Sequence, residues 1–241
     1  MIKIENIKFH WPGQRSPQID ICDLELAQGH RMFISGQSGC GKSTLLSLIA
    51  GISVPDSGLV MVADRDLTQM KASKRDAFRA DHLGLIFQQF NLLPYLNVLE
   101  NVTLPCYFSA LRKSRVSGGL EVEAKRLLSA LGLGEGLHRQ PVTALSIGQQ
   151  QRVAVARALI GKPSLVIADE PTSALDHDSR DKFLSLLVEQ CEASNSSLIF
   201  VSHDHTLKSH FNEVVSLPDI NRAFLSDDKK ESALSGEGSS L

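Results

Sequence analysis

The run Gly36-Gln37-Ser38-Gly39-Cys40-Gly41-Lys42-Ser43-Thr44 spells G-x-x-x-x-G-K-[ST] between an apolar stretch, Arg31 to Ser35, and a helical one, Ser43 to Ala50. A polyphosphate needs many N–H donors aimed at one concavity. Glycines let the backbone approach, the helix N-terminus adds a partial positive charge, and Lys42 adds a full one. Ser43 is placed to ligate Mg²⁺, whereas Cys40 enters through its backbone N–H, because an isolated thiol implies no nucleophile. A second signal is Asp169-Glu170, which ends the apolar run Leu165-Val166-Ile167-Ala168. Adjacent side chains alternate along a strand, but at its C-terminal end both can face a nucleotide. Asp169 suits the outer shell of Mg²⁺, and Glu170 suits polarising a water for attack on the γ-phosphate.

These residues need elements to hold them. Ile2 and Ile4 alternate with Lys3 and Glu5, which predicts an edge strand followed by a turn at Trp11-Pro12-Gly13. Ile19 to Leu26 reads as a second strand, and Arg31 to Ser35 as the strand that feeds the glycine loop. The helix opened by that loop should end at Gly51, a residue suited to a C-terminal cap. From Asn97 the pattern turns helical: Asn97 and Glu100 have the spacing of a capping box, and Leu120, Ala124, Leu127, Leu128 and Leu131 form one apolar stripe. Residues 91–150 are therefore expected to be a helical insertion. Buried strands return at Ser164 to Ala168 and Ser197 to Ser202, with the amphipathic stretch Ser179 to Cys191 between them.

With 241 residues, 42% of them hydrophobic and 22% charged, the chain can bury one sizeable core with an embedded subdomain. Its 25 Lys+Arg against 27 Asp+Glu give no support for a nucleic-acid partner, and the composition excludes global disorder. No apolar run is long enough to span a bilayer, and Lys3, Glu5 and Lys8 stand where a signal peptide would be apolar, so a cytoplasmic location is expected. The cysteines Cys22, Cys40, Cys106 and Cys191 show no paired spacing of a disulfide framework or zinc site. Residues 226–241 are polar and rich in glycine and serine, the composition of a flexible tail.

The segment Leu145-Ser146-Ile147-Gly148-Gln149-Gln150-Gln151-Arg152 resembles the signature motif of the ABC-transporter ATPases, usually spelled LSGGQ. The resemblance extends to about residue 225. Gln88 in Leu85-Ile86-Phe87-Gln88-Gln89 looks like the Q-loop glutamine, Ser173-Ala174-Leu175-Asp176 like the D-loop, and His203 in Val201-Ser202-His203-Asp204 like the switch histidine. Trp11 sits where the family commonly places an aromatic residue against adenine; an ordinary partly buried core tryptophan is the alternative. The resemblance implies an α/β P-loop NTPase core with a mostly parallel sheet, an antiparallel β subdomain and the inserted helical subdomain. Residues 1–225 would form one cassette, with 1–90 and 151–225 as its nucleotide-binding core.

It also implies an ATP- and Mg²⁺-dependent hydrolase that works as a homodimer, each nucleotide lying between one chain's glycine loop and the other's signature. Binding residues would be Trp11, Gly36 to Thr44, Ser146, Gly148, Gln149 and Asp176. Ser43, Gln88 and Asp169 would serve the metal, and Glu170, His203 and Gln88 the chemistry, with His203 ordering the attacking water. Ser146 and the N–H of Gly148 at a helix start suit an anion. The membrane partner would be separate permease chains, with this chain on the cytoplasmic face of the inner membrane.

Ile147 departs from the pattern by replacing the first glycine of the signature pair, adding a branched side chain and restricting φ. Either its side chain points away and Gly148 alone approaches the phosphate, or the composite site is weakened. The stretch Phe87 to Val102 and the short insertion look like the branch serving lipoprotein release, macrolide and peptide export and mechanotransmission. A solute importer's ATPase and a regulatory cell-division ATPase are the alternatives. A chromosome-structuring ATPase would need a long heptad region, and a translation-factor ATPase two cassettes.

Overall fold

The computed structural model describes residues 1–173 and 177–224, with backbone only at 177–179; Asp176 and the expected tail lie outside them. In chain order the strands and helices are β1 Ile2–Phe9, β2 Ile19–Leu26, β3 Arg31–Ser35, α1 Lys42–Ile49, β4 Ser57–Val62, β5 Arg65–Asp66, α2 Ala72–His82 and β6 Leu83–Ile86. The insertion follows with α3 Val98–Thr103, α4 Pro105–Phe108, α5 Ala110–Ser114 and α6 Leu120–Ala130. Then come α7 Ile147–Leu159, β7 Leu165–Asp169, α8 His177–Ser194, β8 Ser197–Val201, β9 Glu213–Ser216 and α9 Leu217–Ile220.

Two sheets result. An antiparallel one has the order β2-β1-β4-β5, and a parallel one the order β6-β7-β8-β3-β9. β1 is therefore an inner strand, paired with β2 and β4, and not the edge strand its alternation suggests. Alternation reports which face is buried and carries no count of hydrogen-bonded neighbours. The strand also changes phase at Asn6, whose φ is 49°, so that Ile7 and Phe9 return to the core after Ile2 and Ile4.

The inner strands of the parallel sheet are buried on both faces, as parallel sheets require. Met32 and Ile34 of β3, Leu165 and Ile167 of β7, and Ile199 and Val201 of β8 pack toward α1 and the antiparallel sheet. Phe33, Val166, Ala168, Leu198 and Phe200 face α7, α8 and the insertion. The Asn97 capping box forms with both hydrogen bonds, and the stripe on α6 buries Ala124, Leu127 and Leu128 against the same core. Gly51 closes α1 with φ 64°. Among the described residues no helix is long and apolar enough to cross a membrane.

Candidate functional site

Four loops that could carry chemistry leave the carboxyl edge of the parallel sheet, where α/β proteins of this kind bind ligands. The glycine loop follows β3, Gln88 follows β6, Asp169-Glu170 ends β7 and His203 follows β8. They border a cleft of about 550 Å³ lined by Trp11, Gln18, Ser38, Gly39, Gly41, Lys42, Ser43, Thr44, Gln88, Asp169, Glu170 and His203.

Sterics fix the loop's glycines. A Cβ on Gly36 would lie 2.5 Å from Cys40 Sγ and 2.9 Å from Pro218 Cδ. Gly41 caps α1 in the left-handed region, at φ 102°, with Ile19 Cδ1 2.8 Å from where its Cβ would be. The first turn of α1 thus points its N–H groups at the cleft. Cys40 turns inward and is buried, and desolvation pushes its thiol above the usual range, which agrees with no reactive role. Gly36, Gln37 and Cys40 do not line the cleft. The first two act through their carbonyls, which accept hydrogen bonds from Lys42 Nζ at 2.7 and 3.0 Å.

The carboxylates sit opposite. Glu170 adopts φ 46°, a left-handed conformation uncommon for a residue with a Cβ, while its N–H still donates to Val201 O at 3.0 Å. That twist breaks the strand's alternation and turns Glu170 to the same side as Asp169. Glu170 Oε1 lies 3.9 Å from Lys42 Nζ, and Glu170 Oε2 lies 2.8 Å from His203 Nε2. Burial, then the neighbouring Glu170 charge, raises the Asp169 carboxyl above its ordinary range, against a lowering hydrogen bond from Ser43 Oγ at 3.4 Å. Ser43 and Asp169 offer two oxygens on one wall, the sparse donor set Mg²⁺ takes when phosphates and water complete its shell. Among the described residues no group of three or more His, Cys, Asp or Glu gathers as a dedicated metal cage.

Trp11 is 40% exposed and meets Phe9 edge-on, ring centroids 5.0 Å apart, so its indole borders the cleft and does not fill a core position. Gln18, which sequence reasoning did not single out, donates from Nε2 to Gly39 O at 3.2 Å. Asn221 was also missed. Fully buried, it accepts from Asp20 N at 2.9 Å and donates to Gln18 O at 3.0 Å and Cys40 O at 3.1 Å. It ties the last described helix to the glycine loop, a link no local pattern announces.

The signature segment lies elsewhere. Ser146, Gly148 and Gln149 are absent from the cleft lining. Ser146 caps α7 through a complete capping box: Gln149 N donates to Ser146 Oγ at 3.3 Å, and Ser146 N donates to Gln149 Oε1 at 2.9 Å. Those two bonds use the N–H groups of Ser146 and Gln149, so the free donors of the first turn are Ile147 and Gly148. Ile147 is already helical and 57% exposed, and a Cβ on Gly148 would meet nothing within 4 Å. The backbone objection to Ile147 falls away, because this position needs no glycine conformation. Asp176 lies outside the described residues.

Residues 19–173 match the ABC transporter family. An ABC transporter ATP-binding protein of Mycobacterium tuberculosis, itself uncharacterised, is 38% identical over 230 residues, covering 92% of this chain and 91% of its own. The lipoprotein-releasing system ATP-binding protein LolD of Hydrogenovibrio crunogenus is 42% identical over 191 residues, 79% of this chain and 80% of its own. The dimeric post-hydrolysis structure of the ATP-binding cassette MJ0796 bound to ADP and Pi superposes with TM-score 0.78 at 31% identity, covering 90% of this chain and 94% of that one. Shared fold, matched residues and relatives of nearly full length agree, and this chain belongs to the ABC transporter family as an ATP-binding subunit that hydrolyses ATP.

Proposed function

We propose that two copies of this chain close head to tail on MgATP and that hydrolysis reopens them, driving a conformational change in separate membrane permease chains. Residues 1–225 act as one cassette with the insertion at 91–150, peripheral to the cytoplasmic face of the inner membrane. The observation that carries the reading is the separation of Ser146 and Gly148 from the cleft that holds Lys42 and Glu170. One chain presents a phosphate cleft and a free helix N-terminus that do not meet, so a second chain must complete the site. The names of relatives such as the lipoprotein-releasing LolD proteins support lipoprotein release, within the export and mechanotransmission branch, over solute import.

In this mechanism Lys42 and the first turn of α1 hold the β- and γ-phosphates while Trp11 stacks on adenine. Ser43, Asp169 and Gln88 would hold Mg²⁺, which would supply neutralisation of phosphate charge. Glu170 polarises the attacking water, and His203, paired with it, orders that water near the γ-phosphate. Asp176, outside the described residues, would be among the residues that serve the nucleotide. Gln88 lines the cleft, and its neighbour Phe87 lines a separate apolar groove of about 370 Å³ with Leu104, Pro105 and Phe108. Adjacent residues on one loop therefore face the nucleotide and the surface suited to the permease.

Mixing a Lys42→Ala chain with a Ser146→Arg chain tests the arrangement. Each homodimer should be inactive, while the heterodimer has one site with both lesions and one with none, so the mixture should regain hydrolysis. No recovery, together with no crosslink between residue 146 and the partner's glycine loop under ATP, overturns the two-chain site.

A further inference from the structure

Arg157, in the last turn of α7, lies about 16 Å along the helix from Ser146. Its guanidinium donates from Nη1 to Asn91 O at 2.6 Å and from Nη2 to Phe90 O at 2.5 Å. Both accepting residues are left-handed, with φ 58° at Phe90 and 49° at Asn91, and they close the loop that begins at Gln88. Phe90 N donates to Phe87 O at 2.9 Å and Asn91 N to Gln89 O at 2.6 Å, so the loop is a compact turn whose exit carbonyls point at α7. No carboxylate pairs with Arg157 among the described residues; its charge faces carbonyl dipoles. Nearer the start of α7, buried Gln151 donates from Nε2 to Pro171 O at 2.7 Å, just after Glu170.

We propose that Arg157 is a positioning residue that locks the Gln88 loop to the signature helix, so that nucleotide engaged by Gln88 sets the place of the Ser146 that serves the partner's site. This rests on the two-chain reading above. The physical reasoning is direct. A planar fork hydrogen-bonded to two consecutive carbonyls resists rotation of the loop against the helix, which a single point charge on a flexible stem does not. Displacement of Gln88 then bears on the far end of α7, while Gln151, tied to the segment leaving β7, acts as the pivot near its start. The strained backbone at Phe90 and Asn91 persists because the guanidinium satisfies both carbonyls at once.

The test uses full-length chains carrying Glu170→Gln to suppress turnover, with and without Arg157→Met or Arg157→Lys. Radiolabelled ATP binding is measured at protein concentrations below dimerisation, and ATP-driven dimerisation by analytical ultracentrifugation. Monomer affinity should stay within about twofold of the parent, whereas the dimerisation midpoint should rise at least about tenfold in Arg157→Met, and less in Arg157→Lys, which keeps the charge on a single donor nitrogen. With Glu170 intact, kcat should fall more than KM changes. Equal dimerisation by parent and Arg157→Met overturns the inference while leaving the two-chain reading standing. A loss of ATP affinity in step with a lowered Tm in both variants also overturns it, since that marks a structural role. A parent chain that does not dimerise on ATP overturns the two-chain reading and this inference with it.

Discussion

Replacing Glu170 with glutamine should separate binding from chemistry. The carboxylate lies 3.9 Å from Lys42 Nζ and 2.8 Å from His203 Nε2, and it is largely buried. At an effective dielectric of about 20, two charges at that first distance interact by roughly 4 kcal/mol. Neutralising Glu170 therefore releases Lys42 toward phosphate and removes a negative charge that a γ-phosphate must approach. Both effects favour nucleotide, so ATP affinity should hold or tighten. Turnover should drop by about 10² to 10⁴, the usual contribution of a positioned general base. The amide keeps an oxygen facing His203, so shape and pairing survive while the basicity is lost. Phosphate release gives kcat, equilibrium binding gives Kd, and size exclusion should show an accumulated ATP-bound dimer. Turnover within about tenfold of the parent would remove Glu170 from its role, because a positioned general base contributes at least about 10².

Two further outcomes follow from the cleft. Trp11 is the single tryptophan, so saturating ATP or ADP should change the protein's emission, and Trp11→Ala should lose about 1 to 3 kcal/mol of affinity, recovered largely by Tyr or Phe; an unchanged Kd would assign the ring a packing role. Asp169→Asn should abolish Mg²⁺-dependent hydrolysis yet raise the Tm of the nucleotide-free protein at neutral pH. The folded state holds this carboxyl's proton more tightly than the unfolded chain, whose value lies near 3.8. Ionised Asp169 thus costs stability once pH climbs through the raised folded value, and the gain from Asn should shrink as pH falls toward that of the unfolded group. A Tm gain that does not depend on pH would contradict the burial argument.

The glycine loop, α1 and its Gly51 cap, the Asn97 capping box and the α6 stripe were legible because each is written within one or two turns of contiguous chain. α2 was not: Phe78 is its only buried residue, which leaves no apolar stripe to read. β6 escaped for a different reason. Its short run contains Gly84, present because a Cβ there would lie 2.4 Å from Ala158 O, a packing constraint set by a residue far away in sequence. The site's composition was readable from spacing, but its geometry was not. That Glu170 turns left-handed to join Asp169, and that Asn221 staples Gln18 to Cys40, depend on strands and helices meeting across most of the chain.

In the proposed two-chain site, the start of α7 would be the part that one chain offers to the other. The capping box takes one lone pair of Ser146 Oγ and leaves its proton free to be donated, while the first-turn N–H groups of Ile147 and Gly148 stay unpaired. Three donors are thus held in place before any phosphate arrives. The α7 rod fixes their direction, and the packing of Val153, Val155 and Ala156 in the core fixes the rod. Donors ordered in advance cost no reorganisation when charge approaches, which is where such sites gain most of their strength. Ile147 leaves that arrangement intact, because its own backbone is helical and its side chain stands in solvent. On the proposed two-chain arrangement, the isoleucine would act only through its contacts with the second chain and would leave the chemistry at Glu170 unaltered.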